Sequence, residues 1–207
     1  YVTADNLNVT SSRNVVITGS LAQGQLNIAG GSYSHAQGYD TVTNGGYSHA
    51  EGNGTIAGAE GSHAEGRTTK TDGVYSHTEG RENRTLGNYS HAEGYLTTAS
   101  GQFSHTEGIS STATGVGSHA EGNTTISSGS YSHAEGRETL ASGIESHTEG
   151  YFTTSSGAYS HAEGAYALAS GMGSHAEGRS STATGMSSHA EGNTTISSGS
   201  YSHAEGR

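Results

Sequence analysis

All thirteen histidines of the chain fall on one arithmetic series, beginning at His35 and ending at His203, each fourteen residues after the one before. No insertion or deletion breaks the series, so whatever the chain folds into must return to an equivalent place every fourteen residues. The surroundings repeat as well. Serine precedes every histidine, and glycine follows each one three residues later. Glutamate lies two residues after twelve of the thirteen, with Gln37 the exception, and a second glycine lies four residues before twelve of them, with Ala59 the exception. Self-similarity at one fixed period is the signature of a solenoid or array, in which each unit buries its face only against its neighbours.

Gly87 to Ser100 serves as a representative unit. Its two glycine-marked corners leave two stretches of about five residues, Asn88 to Glu93 and Tyr95 to Ala99, which read as two short strands joined by tight turns. Two glycines in every fourteen residues, with abundant Ser and Thr, argue against helix. Strand alternation sets Ser90, Ala92, Thr97 and Ala99 inward, and His91, Glu93, Leu96 and Thr98 outward. With coils stacked at the strand spacing of about 4.8 Å, thirteen would form a rod of roughly 60 Å. The inward positions hold Ser, Ala and Thr in almost every unit, so one chain buries little. The outward positions of the second stretch vary (Asp40, Lys70, Glu82, Arg84, Glu138, Phe152, Tyr166), as solvent-facing positions do. The His/Glu face does not vary, which implies that every copy meets the same packed environment, and a second copy of the chain is the natural supplier.

Composition matters mainly for what it excludes. Only 29% of the 207 residues are hydrophobic, 34 are glycine, and Pro, Cys and Trp are absent. Such a composition on its own resembles disorder, but thirteen copies held in register do not. The formal charge is -11, yet twelve of the nineteen acidic residues are the repeat glutamates, so the remaining surface is near neutral. No basic stripe exists to neutralise phosphates, which argues against nucleic acid as a partner. No run approaches the roughly 20 apolar residues of a membrane helix, and no signal-like segment opens the chain. Beginning at Tyr1 and ending one residue after a repeat glycine, the sequence reads as a piece of something longer. Residues 1–30 differ from the rest: Leu7 with Val9, Val15 with Ile17 and Leu26 with Ile28 are period-two apolar pairs, expected to form a β-rich entry section with a drier core. The repeat domain is expected over 31–207.

The candidate functional residues are the invariant polar column: His35, His49, Glu51, His63, Glu65, His77, Glu79, His91, Glu93, His105, Glu107, His119, Glu121, His133, Glu135, His147, Glu149, His161, Glu163, His175, Glu177, His189, Glu191, His203 and Glu205. An inter-chain hydrogen-bond ladder is the expected role, since buried polar groups are paired. Imidazole and carboxylate two residues apart could also hold a metal ion, with His91, Glu93, His133 and Glu135 as candidates, although thirteen consecutive sites exceed what binding requires. A Ser-His dyad fails, because adjacent strand residues point to opposite faces. Threonines such as Thr124, Thr125, Thr194 and Thr195 form no flat ice-binding array, being interrupted by Lys70, Arg84, Leu140 and Leu168. The aromatics two before the histidine (Tyr33, Tyr47, Tyr75, Tyr89, Phe103, Tyr131, Tyr159, Tyr201) read as a packing rim. Tyr95, Tyr151, Phe152 and Tyr166 are better candidates for carbohydrate contact. Nothing in the pattern requires a cofactor.

The unit resembles the YadA-like head repeat of trimeric autotransporter adhesins and its relatives in bacteriophage tail fibres. There a Ser-Val-Ala-Ile-Gly strand is followed by an Ala/Thr-x-Ala/Ser-x-Gly return; here Ser90-His91-Ala92-Glu93-Gly94 and Thr97 to Gly101 stand in those places. The resemblance covers about residues 31–207. It implies an all-β, left-handed parallel β-roll solenoid of 14-residue coils, assembled as a parallel homotrimer. His and Glu then occupy positions that face the threefold axis and are apolar in the family, so the axis becomes polar. Neutral His with fully ionised Glu would stack carboxylates about 4.8 Å apart, so many histidines are expected to be protonated and paired to glutamate, with stability greatest at mildly acidic pH and declining in alkali.

These readings converge on a non-enzymatic extracellular fibre segment, a spacer or host-binding part of a phage tail fibre or similar appendage. The alternatives are the head of a bacterial adhesin that binds host surface or matrix, and a metal-binding trimeric solenoid. The implied partners are two further copies of the chain and a host surface glycan or protein. The near-identity of Ser111–Arg137 and Ser181–Arg207 points to duplication of whole coils, which suits a rod whose length is adjustable.

Overall fold

In the computed structural model, which describes residues 19–206, the fourteen-residue period becomes one turn of a parallel β-solenoid. Each coil gives one strand to each of two sheets, one of 14 strands and one of 13, and within each sheet the strands follow chain order. The strand that begins at the histidine usually runs five residues, as in His35–Tyr39 and His133–Arg137, and shortens to two at His77–Thr78 and His91–Ala92. Its counterpart in the second sheet is two residues long in every coil, as in Thr98–Ala99. Pairing is parallel and in register: His91 lies between His77 and His105, and Thr98 between Arg84 and Thr112. No helix among the described residues is long and apolar enough to cross a membrane.

Backbone hydrogen bonds join each coil to the next. The His91 N–H donates to the Ser104 carbonyl at 3.0 Å, Glu93 to Thr106 at 2.9 Å, Thr98 to Ser111 at 2.9 Å and Ser100 to Ala113 at 2.8 Å. Alternation places Ser90, Ala92, Thr97 and Ala99 at 3% exposure or less, as the sequence pattern predicts. The interior contains alanine, serine and threonine almost throughout, and its largest fully buried side chains are Asn83 and a set of threonines.

A polar interior must satisfy its own hydroxyls. The serine before most of the histidines does so by closing its own corner: Ser90 Oγ donates to the Gly87 carbonyl at 2.5 Å, and Ser104 and Ser118 bond Gly101 and Gly115 in the same way, whereas the Ser174 and Ser188 hydroxyls have no protein partner. Thr71, Thr78 and Thr85 form a hydroxyl chain across two successive coils. Asn83 ties two coils together, its Nδ2 donating to the Gly94 carbonyl at 2.7 Å while its Oδ1 accepts from the Thr97 N–H at 2.8 Å.

The corners explain both glycines. At Gly94 φ is +102°, and a Cβ there would lie 2.1 Å from the Gly108 carbonyl oxygen of the next coil. A Cβ at Gly87 would lie 1.9 Å from the Gly101 carbonyl oxygen. Two further corners are left-handed and in most coils carry no glycine, as at Tyr89 (φ 57°) and Leu96 (φ 58°). This shortens the second strand relative to the five residues expected. Asp40, Glu82, Glu138, Phe152 and Tyr166 are positive-φ turn residues rather than strand residues. Their side chains have room outside the coil, and inter-coil bonds such as Leu96 N–H to the Arg81 carbonyl, at 3.1 Å, hold the conformation.

Coil geometry is already present before residue 31. Leu21–Gln25 pairs in register with His35–Tyr39, which sets Leu21 in the histidine column. Leu26 and Ile28 do not form the drier core expected of them: they are 62% and 57% exposed, and Leu26 occupies a positive-φ corner. The pairs Leu7/Val9 and Val15/Ile17 lie outside the described residues.

The glycine requirement yields a direct test. Gly94→Ala forces a Cβ against a backbone carbonyl and into a strained φ, and should cost at least about 2 kcal/mol. Gly46→Ala, whose nearest contact would be Ser32 O at 3.7 Å, should be close to neutral. Denaturant unfolding of the two variants reads the difference, and equal midpoints would refute the corner account.

Candidate functional site

In-register pairing puts each histidine over the histidine of the next coil, so a sequence period becomes a column. From His35 to His189 successive imidazoles stack with centroids 4.6 to 4.9 Å apart and planes within 1 to 17° of parallel. Only the last step, His189 to His203, is edge-on at 61°. The repeat glutamates run alongside on the same face. Within nine coils His Nε2 and Glu Oε2 lie 3.5 to 4.0 Å apart, which is longer than a hydrogen bond. Both side chains are about one-third exposed, as at His91 and Glu93 with 35% each.

Nε2 itself is shielded. From His49 to His189 eleven consecutive histidines have an Nε2 that touches no solvent and has no hydrogen-bond partner in the protein. The first coil differs: His35 Nε2 is 3.0 Å from Gln23 Oε1.

Within one chain the shifts along the column run opposite to those of a protonated ladder, which is expected to draw its glutamates from a neighbouring chain or layer. Burial, then the neighbouring imidazoles, hold the pKa of His49, His77, His119 and His161 below the ordinary value. Burial and one adjacent imidazole do the same at His91 and His133. The glutamates alternate instead. A hydrogen bond from Glu79, then burial, pushes Glu93 up to about 7, and burial with a hydrogen bond from Glu107 pushes Glu121 up to about 7. Glu79 and Glu107 move down as the partners in those bonds, and burial raises Glu65. At these positions the carboxyls of neighbouring coils, Glu93 with Glu79 and Glu121 with Glu107, share a proton, and burial works against charging the shifted imidazoles beside them.

The metal candidates named from sequence fall within this arrangement. One donor atom from each of His119, Glu121 and His133 lies within 4.8 Å of the others, and the same holds for His133, Glu135 and His147. His91 and Glu93 are 3.9 Å apart. Ser90 and His91 separate as alternation requires, Ser90 buried inside and bonded to Gly87 while His91 faces out. Sequence reasoning missed Asn27 and Asn83, whose amides bridge coils where most units carry Thr or Ser. Their only signal was an amide at a position otherwise given to small hydroxyls.

The aromatic rim stacks in runs, Tyr33 on Tyr47 at 5.4 Å, and Tyr75 on Tyr89 and Tyr89 on Phe103 at 5.8 and 5.3 Å. Tyr151, Phe152 and Tyr166 form a separate cluster at the opposite corner, with centroids 4.5 to 5.4 Å apart and the Arg137 guanidinium 5.4 Å from the Tyr151 ring. Of the residues that interrupt the outer column, Lys70 and Arg84 both pair with Asp72, at 2.9 and 3.1 Å. No family model matches the chain, and no curated protein matches its sequence.

The shifted groups fix the sign of the pH response. Histidines with lowered folded values bind fewer protons folded than unfolded, so they reduce stability as pH falls through about 6.5. Glu93 and Glu121 act oppositely: their contribution is full below about 4.3 and is lost as pH rises through about 7, and the raised Glu65 acts in the same direction. The depressed Glu79 and Glu107 contribute above about 4.3 and lose it as pH falls through their lowered values. The two sets oppose each other over the same window, so in thermal melts with a chelator the Glu93→Gln/Glu121→Gln variant should lose more stability than the wild type on acidification from about pH 7 to about 4.3. Parallel profiles for the two proteins would refute the raised carboxyls.

Proposed function

We propose that the chain is a segment of a homotrimeric extracellular fibre, in which it acts as a spacer. The observation that carries this reading is the combination of an interior made of Ala, Ser and Thr with an outer face that repeats shielded, unpaired imidazole nitrogens in coil after coil. A thin coil of this kind buries little apolar area, and a constant polar face is what packing against identical copies would preserve. The resemblance to YadA-like head repeats and phage-fibre relatives supports three chains wound as left-handed rolls, with the His/Glu column toward the axis. A spacer needs length and uniformity rather than a concave site, and whole-coil duplication supplies both. The virion tail fibre is the leading setting for such a rod.

A second reading, an adhesin head that contacts host glycan or matrix, is favoured by one feature, the Tyr151, Phe152 and Tyr166 cluster beside Arg137. Phe152 and Tyr166 remain 38% and 49% exposed.

Sedimentation equilibrium should return a mass three times the 21.0 kDa of one chain. A monomer at micromolar concentration would overturn the trimeric fibre. Binding of the wild-type chain to host-cell glycans that is lost in Phe152→Ala/Tyr166→Ala, with the mass unchanged, would move the role from spacer to adhesin.

A further inference from the structure

The spacing within the column fits something other than hydrogen bonding. Two donors that share one zinc ion, at about 2.0 to 2.2 Å each, lie about 3.3 to 4 Å apart at angles from tetrahedral to about 150°. The His Nε2 to Glu Oε2 separations of 3.5 to 4.0 Å fall in that interval. The imidazole nitrogen on that side is shielded and without a protein partner, so its lone pair is free for coordination in the neutral form that a metal requires. In-register pairing sets the glutamates of adjacent coils one strand spacing apart, Glu121 between Glu107 and Glu135. A second oxygen donor is therefore in reach from the next coil.

Ring geometry decides which donors can act together. Adjacent imidazoles are parallel within 1° at His119 and His133, with centroids 4.7 Å apart. Their lone pairs run side by side and do not converge, so one ion cannot be gripped by two stacked rings. An ion can be held in the plane of one ring by its Nε2, by the carboxylate two residues on and by the carboxylate of a neighbouring coil, with water completing the shell. Imidazole with carboxylate suits zinc, copper and nickel rather than calcium or magnesium.

We infer that the His/Glu column is a linear array of sites for divalent transition-metal ions, each held by one imidazole Nε2 and two carboxylates from successive coils. Charge limits the filling. Two carboxylates balance one dication, and ions on successive coils would repel each other across about one strand spacing, 4.8 Å. Every second coil is therefore occupied. The donors come from one chain, so the inference does not depend on trimer formation, and assembly would bring further copies of the column to the same ions.

Isothermal titration of the full chain with zinc chloride near pH 7.5 is the test, with the oligomeric mass measured alongside so that a change of assembly is seen separately from a loss of binding. Saturation is expected at about six ions per chain, one for each two of the twelve repeat glutamates. Removing the two whole coils 115–142, or making Glu121→Gln with Glu135→Gln, should lower that number by about one. Calcium chloride should give no comparable uptake. Zinc uptake of one ion per chain or fewer overturns the array, whatever the variants do. So does a stoichiometry that ignores the loss of two coils, or calcium binding as strong as zinc, which would mark plain carboxylate attraction.

Discussion

The structure depends on how closely one coil can approach the next. In-register parallel pairing brings the Gly94 corner so near the Gly108 carbonyl that a single methyl group would overlap it, and the Gly87 corner stands against Gly101 in the same way. Everything else follows from that contact. Because no side chain separates the corners, the backbone bonds from His91 to Ser104 and from Thr98 to Ser111 form at 3.0 and 2.9 Å. Because every coil sits at the same height above the last, one residue type is laid over itself from end to end.

That register makes polar material tolerable inside. A hydroxyl buried alone would cost roughly 1 to 3 kcal/mol, yet the serine of most coils turns back on its own corner, as Ser90 does on Gly87, and Thr71, Thr78 and Thr85 pass bonds from coil to coil. The small residues that leave room for these bonds also keep the two sheets close and the coil thin. Thinness then transfers the stability question to the outer faces. On one of them the stacked imidazoles and carboxyls cannot all keep their solution ionisation, and Glu93 and Glu121 are pushed up to about 7.

Much of this could be read from the amino-acid sequence because period and alternation are geometric. Fourteen-residue coils, parallel stacking, inward Ser90, Ala92, Thr97 and Ala99, and a shared His/Glu face all follow from spacing. What spacing could not reveal was conformation carried by unmarked residues. Tyr89 and Leu96 adopt left-handed φ with no glycine to signal it, so the second strand looked longer than Thr98–Ala99. Leu26 and Ile28 looked like core because they are apolar and two apart, but Leu26 sits on a corner and both side chains face water. The protonation pattern was hidden for a different reason. It depends on burial and on contacts between stacked carboxyls, such as the hydrogen bond from Glu79 that pushes Glu93 up, and neither is visible in the alternation of residue types.

The central claim is that each fourteen residues add one identical layer to a rod. Small-angle X-ray scattering of the chain and of versions shortened by one, two and four whole coils measures this directly, because length and cross-section separate in the scattering of a rod whatever its oligomeric state. The account predicts a length that falls by about 4.8 Å for each coil removed, with a constant cross-section. A length that does not track coil number, or a cross-section that swells as coils are taken away, would contradict it.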